Sequence, residues 1–140
     1  YRMADNSKLS LRWEIDNAAA RLATDKVESG VFDKGGFRWI IAAGRNADVR
    51  DFTDFTLRCD AGHKRQWKCE ADVDMRQCLA DGSTDGSWTD DDEPVRFSFN
   101  ENSCNAVFQS GWDWDAMIGQ ECIIDGKVIF EVSINIISSD

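Results

Sequence analysis

The sequence predicts an all-β protein, an eight-stranded antiparallel β-sandwich with one short helix near residues 112–118. Three observations carry this expectation. Apolar and polar residues alternate with period two along much of the 140-residue chain, which marks strands with one buried face. Turn-forming Gly, Asp and Asn clusters separate these stretches at short intervals. Helical periodicity is scarce. A chain of this length is expected to fold around one core. Residues 9–137 are expected to form that domain, with a flexible segment over 1–8 and a tail over 138–140.

The elements follow in order. Leu9, Leu11, Trp13 and Ile15 alternate with Ser10, Arg12, Glu14 and Asp16. Residues 18–22 have helical propensity but are too short to stand alone as a helix. Val31 and Phe32 lead through Asp33-Lys34-Gly35-Gly36 into a second apolar stretch over 37–42, a hairpin signal. Phe55, Leu57 and Cys59 share one face of a strand over 52–59. Trp67, Cys69, Ala71, Val73 and Met75 form the clearest alternation, broken by Lys68, Glu70, Asp72 and Asp74. Val95, Phe97 and Phe99 mark a short strand, and 106–108 a further one. Trp114, Met117 and Ile118 fall at i, i+3 and i+4, which predicts one or two helical turns. Val128, Phe130, Val132, Ile134 and Ile136 close the pattern. Trp13, Trp39 and Trp67 are expected in the core.

Charge narrows the partners. Lys and Arg number 16 against 26 Asp and Glu, a formal charge of -10. An acidic chain repels phosphate backbones, so neither nucleic acid nor an anionic membrane is expected as a partner. Basic peptides or proteins fit better. No apolar run reaches the ~18 residues of a membrane span, and the polar start lacks the hydrophobic stretch of a signal peptide.

The five cysteines are Cys59, Cys69, Cys78, Cys104 and Cys122. None stands in a C-x-x-C pair, and His63 is the single histidine. A zinc site is therefore not expected. The thiols read as small buried residues of a reducing compartment, cytoplasmic or nuclear. The stretch 81–92 imitates a calcium loop, with Asp81, Ser83, Asp85 and Asp92 at ligand positions and Gly86 at the turn. Its last ligand is Asp rather than Glu, and its flanks read as strands. An acidic solvated loop is the expectation, with no cofactor. His63 sits in a polar loop with nothing to orient it as a base, so no enzyme activity is expected.

Three blocks resemble one family. Trp13-Glu14-Ile15-Asp16-Asn17 is similar to the W-x-I-x-N opening of the MATH (meprin and TRAF-C homology) domain. Ser29-Gly30-Val31-Phe32 through Gly35-Gly36-Phe37-Arg38-Trp39 resembles its next block, and Asp125-Gly126-Lys127-Val128 through Glu131-Val132 its closing strand. The resemblance covers residues 9–137. The Trp67-x-Cys69-x-Ala71 strand resembles the variants expanded in nematodes.

The resemblance implies the eight-stranded sandwich and a protein–protein interaction module. Such a module holds a short extended peptide, as a substrate-recruiting or scaffolding adaptor of the ubiquitin-ligase type. A self-associating scaffold and the recruiting domain of a deubiquitinase are the alternatives. The family's substrate adaptors line their groove with aromatics from central strands and a Trp-Gly. Ungapped alignment over 51–75 puts Thr56 and Ala71 at two aromatic positions; Phe97 falls near a third, and the Trp-Gly falls within 102–106, where Asn102, Ser103, Cys104 and Asn105 stand. These seven are the expected groove residues. Replacing large anchors by Thr and Ala implies a shallower, more polar groove.

Overall fold

A strand with one apolar face must hide that face, and two sheets stacked face to face do so for all strands at once. The computed structural model describes residues 8–62, 64–85 and 94–139. The expectations for 1–7, for His63, for most of the calcium-like loop and for residue 140 lie outside the described residues.

In chain order the strands are β1 (Lys8–Asp16), β2 (Val27–Glu28), β3 (Phe32–Lys34), β4 (Phe37–Arg45), β5 (Phe52–Asp60), β6 (Lys68–Cys78), β7 (Thr84–Asp85), β8 (Val95–Asn100), β9 (Asn105–Asp113) and β10 (Lys127–Ser139). All pairings are antiparallel. The first sheet runs β1-β10-β6, with β7 and β8 both pairing β6. The second is centred on β4, with β2 and β3 on one side and β5 then β9 on the other. Among the described residues these ten segments exceed the expected eight; three of them, β2, β3 and β7, are pieces of two or three residues. β1 begins at Lys8 and β10 runs to Ser139, slightly beyond the expected 9–137.

Inward residues of both sheets form one core. Two aromatic groups fill its ends. Phe37, Trp39, Trp67 and Phe99 meet at one end, with Trp39 edge-on to Phe99 at 6.0 Å and 86°. Phe55 stands edge-on to Phe130 at 5.0 Å at the other, beside Trp13 and Phe108. Burial of each such side chain stabilises the fold by about 1.5–3 kcal/mol. Between β3 and β4 the turn needs glycine. Gly35 has φ +66°, and a Cβ there would lie 3.0 Å from Ile136 Cδ1 and 3.2 Å from Leu9 Cδ1. That turn therefore packs directly onto β1 and β10.

The helical content corrects the single helix expected. α1 (Ala18–Thr24) forms as well as α2 (Trp114–Met117), and a 3-10 turn follows at Gln120–Cys122. Seven residues are too few for an isolated helix. α1 is held instead by tertiary burial of Ala18 and Leu22, one turn apart on the same side. α2 carries a side-chain cap, since the Asp113 carboxylate accepts from the Ala116 N–H at 3.0 Å. Its far end is tied to the first sheet by Gln77 Nε2, which donates to the Met117 carbonyl at 2.8 Å. Gln77 Oε1 and the Thr53 hydroxyl oxygen are buried with no hydrogen-bond partner among the described residues.

Candidate functional site

The two outer faces of the sandwich are built differently. The outer face of the first sheet carries charged rows. Arg12 pairs with Glu131 and Glu14, Lys127 with Glu14, Arg76 with Asp74, and Arg96 with Asp72 and Glu70. The outer face of the second sheet has small residues at its centre. Ala42 of β4 stands opposite Thr56 of β5, and Thr56 opposite Val107 of β9. The row thus crosses three strands and ends on a β-branched residue that is 58% exposed.

Beside this row lies an open pocket of about 370 Å³, floored by Ala42, Gly44 and Thr56. The 44–50 loop walls one end. Asn46 Oδ1 accepts from the N–H groups of Asp48 and Val49, both at 2.9 Å, and Asn46 Nδ2 donates to Asp54 at 2.9 Å. Arg45 anchors the loop further by bonding the Arg50 carbonyl and stacking over Trp114. At the other side the sheet ends in β9, which pairs only with β5 among the described strands. An edge strand offers a row of backbone donors and acceptors to an added chain.

The structure divides the seven groove residues expected from sequence. Thr56 and Asn105 share the outer face of the second sheet, since Asn105 stands opposite Arg58 two positions along. Ala71 does not join them. It is 0% exposed and faces the core, a correction explained by its own strand, where Cys69, Ala71, Val73 and Met75 all point inward. Phe97 stands opposite Ala71 and turns half-buried toward Phe99, so it lines the sandwich interior at the β8 edge. Asn102 and Ser103 are exposed in the turn between β8 and β9. Paired backbone bonds between Asn100 and Ser103, each 3.0 Å, hold that turn, and Asn100 Oδ1 accepts from the Asn102 N–H. Cys104 is half-buried against the core. Val107 and Ala42 were not anticipated. The alternation Ala106, Val107, Phe108 held the signal, because two inward neighbours push Val107 out.

The turn has its own electrostatics. The Glu101 carboxylate accepts from its own backbone N–H and from that of Trp67, the latter at 3.1 Å, which holds it below the usual carboxylate range. This bond joins the β8–β9 turn to the start of β6. A thiol cluster lies just inside. Contact with Cys69 and burial push the Cys59 thiol far above its ordinary value, and the same contact draws Cys69 down. Cys59, Cys69, Cys78 and Cys104 are free thiols. Among the described residues, no three His, Cys, Asp or Glu side chains form a group that would hold a metal ion.

The family model for the MATH domain matches residues 5–136. The chain belongs to the MATH-domain family. No curated protein matches it. MATH domains are protein–protein interaction domains, so this one binds protein partners. No helix among the described residues is long and apolar enough to cross a membrane. In this MATH domain the second sheet's outer face runs from the small-residue pocket over β4 and β5 across to the backbone bonding groups of the β9 edge.

Proposed function

We propose that this MATH domain holds a short extended peptide of a partner protein along the β9 edge, as a substrate-recruiting or scaffolding adaptor. The observation that carries this reading is the Ala42–Thr56–Val107 row ending on an edge strand. A peptide laid beside β9 gains main-chain hydrogen bonds, and its alternate side chains meet Val107 at the near edge of the small-residue floor, which supplies specificity. The floor is shallow, so it favours small side chains rather than large anchors. The net charge of -10 favours a basic peptide over an acidic one. Free thiols suit a reducing compartment, cytoplasm or nucleus.

Selection of peptides from a displayed library, followed by affinity measurement, tests this. Val107→Arg is expected to weaken the selected peptides at least tenfold, about 1.4 kcal/mol. Peptides bound equally by both forms would overturn the reading. Light scattering over a dilution series separates the alternative of a self-associating scaffold, in which a second copy occupies the β9 edge.

A further inference from the structure

We infer that Cys104 is a thiol-modification site that passes oxidation to Cys59, closing a disulfide between β5 and the start of β9. The inference does not depend on the docking reading above. It rests on where the backbone puts the two residues. The β5–β9 register runs Thr56 to Val107, Leu57 to Ala106 and Arg58 to Asn105. One step further places Cys59 opposite Cys104, and the Cys59 N–H donates to the Cys104 carbonyl at 2.9 Å. A hydrogen-bonded antiparallel pair has its Cα atoms about 5.5 Å apart. That falls inside the roughly 4.4–6.8 Å range that a disulfide spans.

Access distinguishes the two thiols. Cys59 is 0% exposed and cannot meet a dissolved oxidant. Cys104 is half-buried, and it lines an open pocket of about 390 Å³ with Arg58, Lys64 and Glu101. Its position just before the first residue of β9 leaves it at the end of the ladder, where small backbone shifts are least costly. A third thiol, Cys69, touches Cys59 from the other sheet. Access selects Cys104 over Cys69 as the bridging residue: Cys69 is only 1% exposed, so a dissolved disulfide reaches Cys104 first and the mixed disulfide formed there is the one Cys59 attacks.

The chemistry needs a small disulfide such as oxidised glutathione. The Cys104 sulfur attacks one glutathione sulfur, that S–S bond breaks, and the first glutathione leaves as a thiol with the Cys104 proton. The Cys59 sulfur then attacks Cys104 Sγ, and the second glutathione leaves with the Cys59 proton. One protein disulfide forms, and two electrons reduce one glutathione disulfide to two thiols. The second step is the slow one, because burial and Cys69 keep Cys59 protonated.

The test treats the folded chain with oxidised glutathione and maps its disulfides by mass spectrometry without reduction. Glutathione is expected on Cys104 first, followed by a Cys59–Cys104 bridge. Thermal melting of the bridged chain is expected to rise by roughly 5–15 °C. Cys104→Ser should abolish the bridge. Cys59→Ala should leave glutathione permanently on Cys104. A Cys59–Cys69 bridge in the native chain would overturn the inference, as would a lasting Cys104 adduct or bridges involving Cys78 or Cys122. Mapping the native chain alone decides the matter if a substituted chain fails to fold.

Discussion

The outer face of the first sheet and the outer face of the second are built from the same kind of strand, yet they treat water differently. On the first, Arg12, Arg76, Arg96 and Lys127 are each matched to carboxylates on the same or neighbouring strands. Charges satisfied this way gain little from an added partner, and a partner would have to desolvate them. On the second, Ala42, Gly44 and Thr56 leave space, and Val107 offers apolar surface on an edge strand that pairs only with β5 among the described residues. The lesson concerns side-chain size as much as charge. A face of small residues next to a strand edge leaves room for an added chain, whereas paired long side chains take up much of the first face, which keeps open space around Ser10, Asp72, Asp74 and Ser133.

The sharpest way to break this contrast is to place the same bulky cation on each face. Thr56→Arg fills the pocket floor and is expected to weaken peptide binding at least tenfold, about 1.4 kcal/mol. Ser133→Arg, on the exposed face of β10, is expected to change binding less than twofold. Equal losses measured by fluorescence anisotropy would erase the distinction between the faces.

A smaller effect sits beneath the second face. Thr53 is 0% exposed and its hydroxyl oxygen has no partner among the described residues. Thr53→Val replaces that hydroxyl by a methyl of similar size and should stabilise the fold by about 1 kcal/mol, read by urea denaturation. A loss of similar size would show that the hydroxyl is satisfied in solution.

The smallest effect belongs to the first face. Arg96 donates to Asp72 through Nε at 2.8 Å and through its terminal nitrogen at 3.2 Å. This hydrogen-bonded guanidinium holds the Asp72 carboxyl below its usual range. A lowered carboxyl pKa stabilises the fold above the unfolded value, about 3.9, and the gain disappears as pH falls through the lower folded value. Arg96→Ala is therefore expected to lose less stability on acidification than the native chain. The pair is exposed, so the difference should be slight and should fade in high salt. Chemical denaturation across pH and salt checks both statements.

Most of the fold was legible because period two is hard to counterfeit. β1, β4, β5, β6, β8 and β10 all lie where alternation put them. β9 was read as three residues over 106–108 but spans nine. Its pairing with β5 shifts register on either side of Phe55, and such irregularity scrambles the alternation that a linear reading depends on. α1 escaped because its stability lies in Leu22 reaching the core, which local propensity cannot report. The candidate site was less legible. Ala71 entered the groove set by ungapped alignment, although its own alternation with Cys69 and Val73 already pointed inward. Local periodicity proved the better guide to orientation. Val107 needed knowledge that β9 ends the sheet, and edge position is a property of pairing rather than of any one stretch.

The place of β10 has a consequence in time. This strand lies between β1 and β6, so the first strand described cannot find its neighbour until the last one exists. Arg12 and Glu131, joined across that seam, are 119 residues apart in sequence. On a ribosome adding about 5–20 residues each second, β1 waits several seconds with its apolar face unpaired. The second sheet, whose β3, β4 and β5 are consecutive, can assemble during that interval. Chaperone demand should therefore fall on the nascent β1 and β6, and ribosome-stalled chains lacking β10 should be captured and degraded rather than released folded.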